Sequence, residues 1–527
     1  MLSLAPNRPV RPSWAVTRFP VPMEEYRRMV EDARRPDYRA LGAAAAAAVA
    51  AQADMHATIV AEAALPTTVT SSRGEDEAGR ALEVGMVAGP TANAPAMSTF
   101  AGIPATAWQP PDCACAVGPN HVMLAVNTDL YTYSKAGVLQ FKWPNMTSLL
   151  QPVLPAGAGL FDPRVAYDHY TDRWVVIVTA RRESPAGSWI MVGVSQGAEP
   201  GGAWWVWALD AALDGSTPTT NWADYPMVGF DTQAIYVVCN MFKIGGDFQY
   251  CKLRILNKAE IYAGGVGPGH NVRWHDFWGL KDPGNNLAFS IQPCVHFRGT
   301  GGNPPAYLVN AIWPGAAVLT LWTLSNPLGS WTGGAPALAR QSVPCQAYDL
   351  PPGAIQKGAT NRIATNDTRL LNAVYQHAGG VERVWTSHNS KFSWPGESEA
   401  RSVVQWYEIN VPTNTIIQQN AYGSAGRYYF FPAIHTDAAR NAYLVFSTSG
   451  GDEFGSLRQT GRLATDPPNS MQPSTTIKVG QSAYPGNRWG DYFGICRDGG
   501  DAARVWGFGE FTDAGGHWGT WVASMKF

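Results

Sequence analysis

The sequence predicts an all-β protein, a seven-bladed β-propeller with an N-terminal helical and irregular extension; six or eight blades are the neighbouring counts. Three observations predict this. The composition has Gly 54, Pro 39 and Trp 21 with only 15% charged residues, which suits many short strands joined by tight turns. From Asp112 onward, runs such as VMLAV, RWVVIVTA, IMVGV, AIYVVC, VLTLWTL, VVQWYEI and AYLVFSTS recur, each bounded by Gly, Pro, Asn or Asp. Their β-branched and aromatic residues belong on a pleated, packed surface. Finally, the strand openings repeat: between Asp112 and Asp491 six intervals average about 63 residues, room for about four strands per unit. Two packed jelly-roll sheets would not produce such a unit.

Taken along the chain, residues 1–22 read as irregular, and residues 23–64 carry strong helix formers. Residues 65–106, rich in Thr, Ser, Gly, Ala and Pro, read as a linker. The propeller is expected over 108–527 and the extension over 1–107. The stretch GAAAAAAVAA is too short and too Ala-rich for a secretory h-region or a membrane span. Several units show an apolar strand, an Asp-centred turn and a second strand, as in VAYDHYTDRWVVIV and PAIHTDAARNAYLV. The last unit has three strands. A segment before Asp112, with ALEVGMVAG as the candidate, is expected to add the fourth and cover the edge.

With 39 Lys plus Arg against 41 Asp plus Glu, the chain has no general field for nucleic acid or anionic membrane. Seven cysteines make no disulfide framework. The turn at Gly245-Gly246 brings Cys239 and Cys251 near each other on a hairpin, either as a cross-strand bridge or as two buried thiols.

In a propeller the innermost strands begin at one rim, so Asp112, Asp162, Asp224, Asp367 and Asp491 are expected to converge. Such carboxylates need compensation. Three arrangements supply it: each Asp caps backbone N–H groups of its own blade junction, Arg164, Arg369 and Arg488 pair with them, or a hard cation such as Ca²⁺ binds. Clustered His or Cys at zinc spacing is absent, with only the strand pair Cys113 and Cys115 sharing a face. The Gly-rich pieces IGGD, AGGVGPGH and GTGGN lack a following helix and read as turns, not phosphate loops. His121, His169, His388 and His435 are scattered and read as structural.

The motifs CAVGPNHV, DPRVAYDHYTDRW, ADYPMVGF, SLRQTGRLATDP and NRWGDYFG resemble those of bacterial sialidase-like (BNR-type superfamily) β-propeller proteins. The resemblance covers residues 108–527 and implies the propeller fold and an extracellular or cell-surface location. Sialidase chemistry needs an arginine cluster for a substrate carboxylate, a Tyr nucleophile backed by Glu, and an acid/base Asp. Arg458, Arg462 and Arg488 are the candidates for the cluster. Tyr492 with Glu510, or Tyr428, is the candidate nucleophile set, and Asp491 or another rim Asp the acid. The chain departs from the family in lacking the Ser-x-Asp-x-Gly-x-x-Trp turn; NPLGSW and SPAGSW keep only its Gly and Trp.

Trp204 and Trp278 are further candidates, since an exposed flat ring stacks on sugar faces or anchors a partner. The expected role is recognition: a rigid scaffold binding a glycan or protein surface, with residues 23–64 docking to an assembly partner. The alternative is a glycoside hydrolase or polysaccharide lyase acting on acidic glycans at the rim.

Overall fold

The computed structural model describes residues 3–5 and 94–527, apart from residues 144, 268 and 301. Both the segment 23–64, expected to be helical, and ALEVGMVAG lie outside the described residues. The described chain falls into two compact units, one holding residues 3–5, 114–309 and 322–340, the other 94–113, 310–321 and 341–527.

Five four-stranded sheets are blades of a β-propeller. The first unit contains Ala114–Val117, His121–Ala125, Leu130–Ser134 and Leu139–Lys142 in one blade, and Gly159–Asp168, Arg173–Arg182, Gly187–Ser195 and Trp204–Asp210 in the next. The second unit contains Arg427–Thr436, Ala442–Gly450, Glu453–Arg462 and Thr475–Lys478 in one blade, and Gly494–Arg497, Val505–Thr512, Trp518–Lys526 and Ala96–Ala101 in another. A fifth sheet joins Gln292–Pro293, Ala306–Ala311, Ala316–Ser325 and Ala337–Tyr348. Two more meanders exist: Asn221–Phe230 to Val272–Trp278 in the first unit and Leu370–Ala378 to Thr415–Tyr422 in the second. Neither stands as a separate four-stranded sheet, so five blades are supported and the expected count of seven is not. The first of these meanders is lengthened at both edges. Ser3–Ala5 pairs antiparallel with Val272–Trp274, and Val295 pairs parallel with Phe230.

The strand that completes the final blade is Ala96–Ala101, antiparallel to the C-terminal strand with Ala96 opposite Lys526 and Ala101 opposite Trp521. Its donor therefore lies in the segment read as linker. Pairing covers the ladder edge of Trp518–Lys526, which would otherwise present free N–H and C=O groups.

Continuous apolar runs became strands buried on both faces. In Arg173–Arg182 all residues but the two terminal arginines are buried, as a short unalternating run predicts. Val175, Ile177, Val192, Val194, Trp207, Val237 and Trp274 form one core in the first unit. Trp385, Trp406, Tyr422, Tyr429, Ile434 and Phe446 form one in the second. The hairpin places Cys239 opposite Lys252 and Asn240 opposite Cys251. That one-residue offset puts the two thiols on opposite faces. The pair is two buried thiols rather than a cross-strand bridge.

One local device recurs in the innermost strands. Asp162, Tyr225 and Phe431 have φ of 56°, 49° and 51°, and each is followed by proline: Pro163, Pro226 and Pro432. The strand register shifts at each of them, between Phe161 and Arg164, Asp224 and Met227, and Phe430 and Ala433. These are β-bulges. A left-handed Tyr or Phe is strained, and a side-chain acceptor holds each freed N–H. Asp162 N–H donates to Asn127 Oδ1 at 2.8 Å, Tyr225 N–H to Asp162 Oδ2 at 3.2 Å, and Phe431 N–H to Asn389 Oδ1 at 2.7 Å.

Candidate functional site

In the second unit the loop Tyr484–Tyr492, which carries the motif NRWGDY, is pinned through several of its backbone groups. Gln356 grips Tyr484 from both sides: its Oε1 accepts from the Tyr484 N–H, and its Nε2 donates to the Tyr484 carbonyl, both at 2.7 Å. Asn361 Nδ2 donates to the Gly486 carbonyl at 2.8 Å, and Ala364 N–H donates to the Asn487 carbonyl at 2.6 Å. Tyr484 O–H donates to the Arg488 carbonyl at 2.7 Å. Trp489 Nε1 donates to Ser447 Oγ at 2.9 Å.

The next two N–H groups are held by carboxyl groups. Gly490 N–H donates to Glu510 Oε2 and Asp491 N–H donates to Asp112 Oδ1, each at 2.8 Å. What the loop presents outward is one charged pair. Arg488 Nη2 donates to both oxygens of Asp491, at 2.8 and 2.9 Å, with the Arg side chain 36% and the Asp side chain 17% exposed.

Behind that pair the site is dry and acidic. Asp112, Tyr492 and Glu510 are fully buried, and carboxylate oxygens of Asp112 and Asp491 lie within 4.8 Å of each other. Burial, reinforced by the negative charges of Asp112 and Asp491, pushes the Glu510 carboxyl well above the ordinary range. Burial likewise raises the Cys113 thiol, with Glu510 and Asp112 adding to it. Glu510 Oε1 is buried and has no hydrogen-bond partner among the described residues.

The other residues singled out by sequence serve diverse ends. Asp367 and Arg369 form a buried fork, Nε to Oδ1 at 2.8 Å and Nη2 to Oδ2 at 2.6 Å. Asp162 is buried and caps Tyr225, while Asp224 is half-buried on the adjoining strand. Arg164 Nε donates to the Pro226 carbonyl at 2.8 Å. Capping and Arg pairing, two of the three arrangements expected for these aspartates, thus both occur.

The expected arginine cluster is otherwise occupied. Arg458 donates to Ser474 Oγ at 2.9 Å and to Thr476 Oγ1 at 3.2 Å, and Arg462 is buried on the Ser470 and Asp466 carbonyls. Both fasten the 463–476 segment to their own blade, which leaves Arg488 as the outward-facing member. Tyr428 is fully buried beneath Arg401, whose guanidinium lies 4.8 Å from the ring centre. Neither Tyr428 nor Tyr492 offers a hydroxyl to solvent as a nucleophile. Trp204 is fully buried with Nε1 on the Pro200 carbonyl at 2.9 Å, so it has no face for a sugar. Trp278 is 47% exposed at the end of the strand Val272–Trp278.

The residues that fix the loop, Gln356, Asn361, Ser447 and Tyr484, escaped sequence reasoning. Two of the bulge caps, Asn127 and Asn389, had a signal, an Asn on or just after the second strand of the meander, in LAVN and TSHN.

No protein-family model matches this chain, and no curated protein matches it; the BNR-type assignment therefore stays a resemblance. Solved structures show remote likeness. A Trypanosoma rangeli sialidase in complex with sialic acid is 11% identical at a TM-score of 0.35, covering 78% of this chain and 59% of that one. A phage phi92 endosialidase is 8% identical at 0.38, covering 82% and 69%. A Penicillium chrysogenum α-L-arabinanase complexed with arabinobiose is 8% identical at 0.34, covering 83% and 99%. This chain spans about three-fifths of the length of that sialidase, and no residue role is transferred from any of them. Among the described residues no helix is long and apolar enough to cross a membrane.

Proposed function

We propose that the protein is a glycan-acting β-propeller that takes the carboxylate of an acidic sugar on Arg488 and hydrolyses the glycan held there. This exchanges the order of the two functions read from sequence: hydrolysis leads, and recognition without turnover is second. The observation that carries the reading is the pinned Tyr484–Tyr492 loop, whose one outward charged feature is the Arg488–Asp491 pair. A guanidinium fork matches a carboxylate in two hydrogen bonds, and Asp491 presents that fork in a fixed plane. Because the supporting contacts are already made, little ordering entropy is lost on binding. Burial beside Asp112 and Asp491 raises the Glu510 carboxyl well above its ordinary range, and carboxyl groups pushed apart in this way suit acid–base work on a glycosidic bond.

The seven-fold repeat in the sequence belongs to the same proposal, with the two remaining meanders serving as blades; both carry the left-handed opening residue, at Tyr225 and Asn366. Location at the cell surface and docking through residues 23–64 are likewise proposals.

The test is a turnover and binding screen on sialosides, uronic-acid polymers and neutral glycans with the full chain. Arg488→Ala is expected to lose at least tenfold in affinity for the acidic class and to leave neutral glycans unaffected. Binding of an acidic glycan without turnover would favour recognition, and no preference for acidic glycans would sink the reading.

A further inference from the structure

We propose that Arg362 is a second carboxylate-binding residue beside Arg488, so that the ligand is an acidic glycan carrying carboxylates on successive sugars. This rests on Arg488 taking a sugar carboxylate and narrows the substrate to polymers of such sugars. Arg362 belongs to the second unit, and its side chain is 41% exposed. Neutral groups orient its guanidinium: Nη1 donates to the Gly353 carbonyl at 3.0 Å and lies 3.5 Å from the Tyr428 hydroxyl. Only Nη2 meets an acid, Glu399 Oε2 at 2.9 Å, and the Glu399 side chain is 59% exposed.

That acid is the removable one. The neighbouring arginines are held more firmly. Arg401 Nε donates to Glu397 Oε2, while Glu397 Oε1 accepts the Gly426 N–H; Arg427 is held by Glu453 and Asp452 together. Among the described residues Glu399 has no hydrogen-bond partner besides Arg362. An exposed ion pair of this kind adds little to stability, so a ligand carboxylate can take the place of Glu399 at little cost. The fork edge formed by Nε and Nη2 is the one that does not carry the Gly353 bond, and it matches a carboxylate in two parallel hydrogen bonds.

The backbone sets Arg362 near Arg488. Asn361 Nδ2 donates to the Gly486 carbonyl at 2.8 Å and Ala364 N–H to the Asn487 carbonyl at 2.6 Å, so residues on both sides of Arg362 grip the loop that carries Arg488. Ala354 and Ile363 exchange both backbone hydrogen bonds, at 2.8 and 2.9 Å, which fixes the chain one residue further on. From the Ala364–Asn487 bond, two peptide links lead back to Arg362 and one leads on to Arg488, a path of under about 18 Å between their Cα atoms. Both guanidinium groups reach solvent. An oligosaccharide with a carboxylate on each sugar can engage both, and the second contact forms at the high effective concentration set by the first.

The experiment uses the full chain, with binding read by calorimetry. The probes are a trimer of galacturonic acid and a trimer of sialic acid, each against a neutral glycan ending in one residue of the same acid. The parent is expected to bind at least one trimer at least tenfold more tightly than its single-acid counterpart, and the acid that shows this identifies the class. Arg362→Ala should erase that preference, whereas Arg488→Ala should weaken trimer and single-acid glycan alike. Glu399→Gln should tighten the trimer, since it removes the competing carboxylate. Arg362 and Glu399 are exposed, and circular dichroism checks the fold of their variants. No trimer preference in the parent, a preference that survives Arg362→Ala, or a trimer affinity that falls in Glu399→Gln would each overturn the second subsite while leaving Arg488 in place. Acidic glycans that bind equally to the parent and Arg488→Ala would instead remove the role of Arg488 itself, and the second subsite with it.

Discussion

His388 and His296 show how single residues set the conditions the fold tolerates. His388 donates from Nδ1 to the Thr368 carbonyl at 2.6 Å and accepts from the Tyr407 hydroxyl at Nε2, 2.9 Å away. His296 accepts the Tyr307 N–H at Nε2, 3.1 Å away. Both rings are buried and neutral, and burial pulls each pKa down to about 4. The unfolded chain binds these protons near pH 6.5 while the folded chain refuses them. Stability from this source is thus complete above pH 6.5 and is lost as pH falls toward 4. The expected loss between pH 7 and 5 is on the order of 2 kcal/mol per histidine. Urea midpoints should fall over that range, and His388→Gln with His296→Gln should flatten the slope. A midpoint that stays level in the parent protein would contradict this account.

Bulges are the telling elements. Tyr225 and Phe431 sit in a left-handed conformation that bulky residues avoid, and the following prolines and the side-chain caps hold it in place. Asn389 is the clearest case, because its Nδ2 donates to the Thr365 carbonyl at 2.7 Å while Oδ1 receives the Phe431 N–H. Asn389→Ala strips a partner from both buried groups. It should cost about 2–6 kcal/mol, the sum expected for two such groups, read as a drop in denaturant midpoint with an unchanged slope. The sequence made FDP, DYP and FFP visible as strand openings without revealing why they recur. The reason is tertiary: the cap lies dozens of residues upstream in the case of Asn127 and Asn389. The pinned loop was legible in the same partial way. Arg488 and Asp491 are three residues apart and could be paired on paper, whereas Gln356 meets Tyr484 across 128 residues, a relation no local pattern encodes.

On the scale of the molecule, the repeat spacing told of blades but counts strand runs and cannot say where one sheet stops; five stand as separate four-stranded sheets against the expected seven. It also told that a strand from the N-terminal side finishes the last blade, but named the wrong segment. ALEVGMVAG looked apolar enough; AMSTFA at Ala96–Ala101 does the work, with a mostly exposed pattern that hydrophobicity alone would not select. Truncation follows directly. A chain beginning at Ala94 should keep one cooperative unfolding transition, and a chain beginning at Gly102 should lose that cooperativity or aggregate through the uncovered Trp518–Lys526 edge. Equal melting behaviour of the two would show that the added strand is dispensable.

That closure also sets a timetable. Thr520 reaches back to Ile103 across 417 residues, so a ribosome adding about 5–20 residues per second leaves Ala96–Ala101 waiting on the order of a minute or less for its mate. Through that interval the nascent polypeptide carries an unclaimed ribbon, which finds its mate only once Trp518–Lys526 has been made.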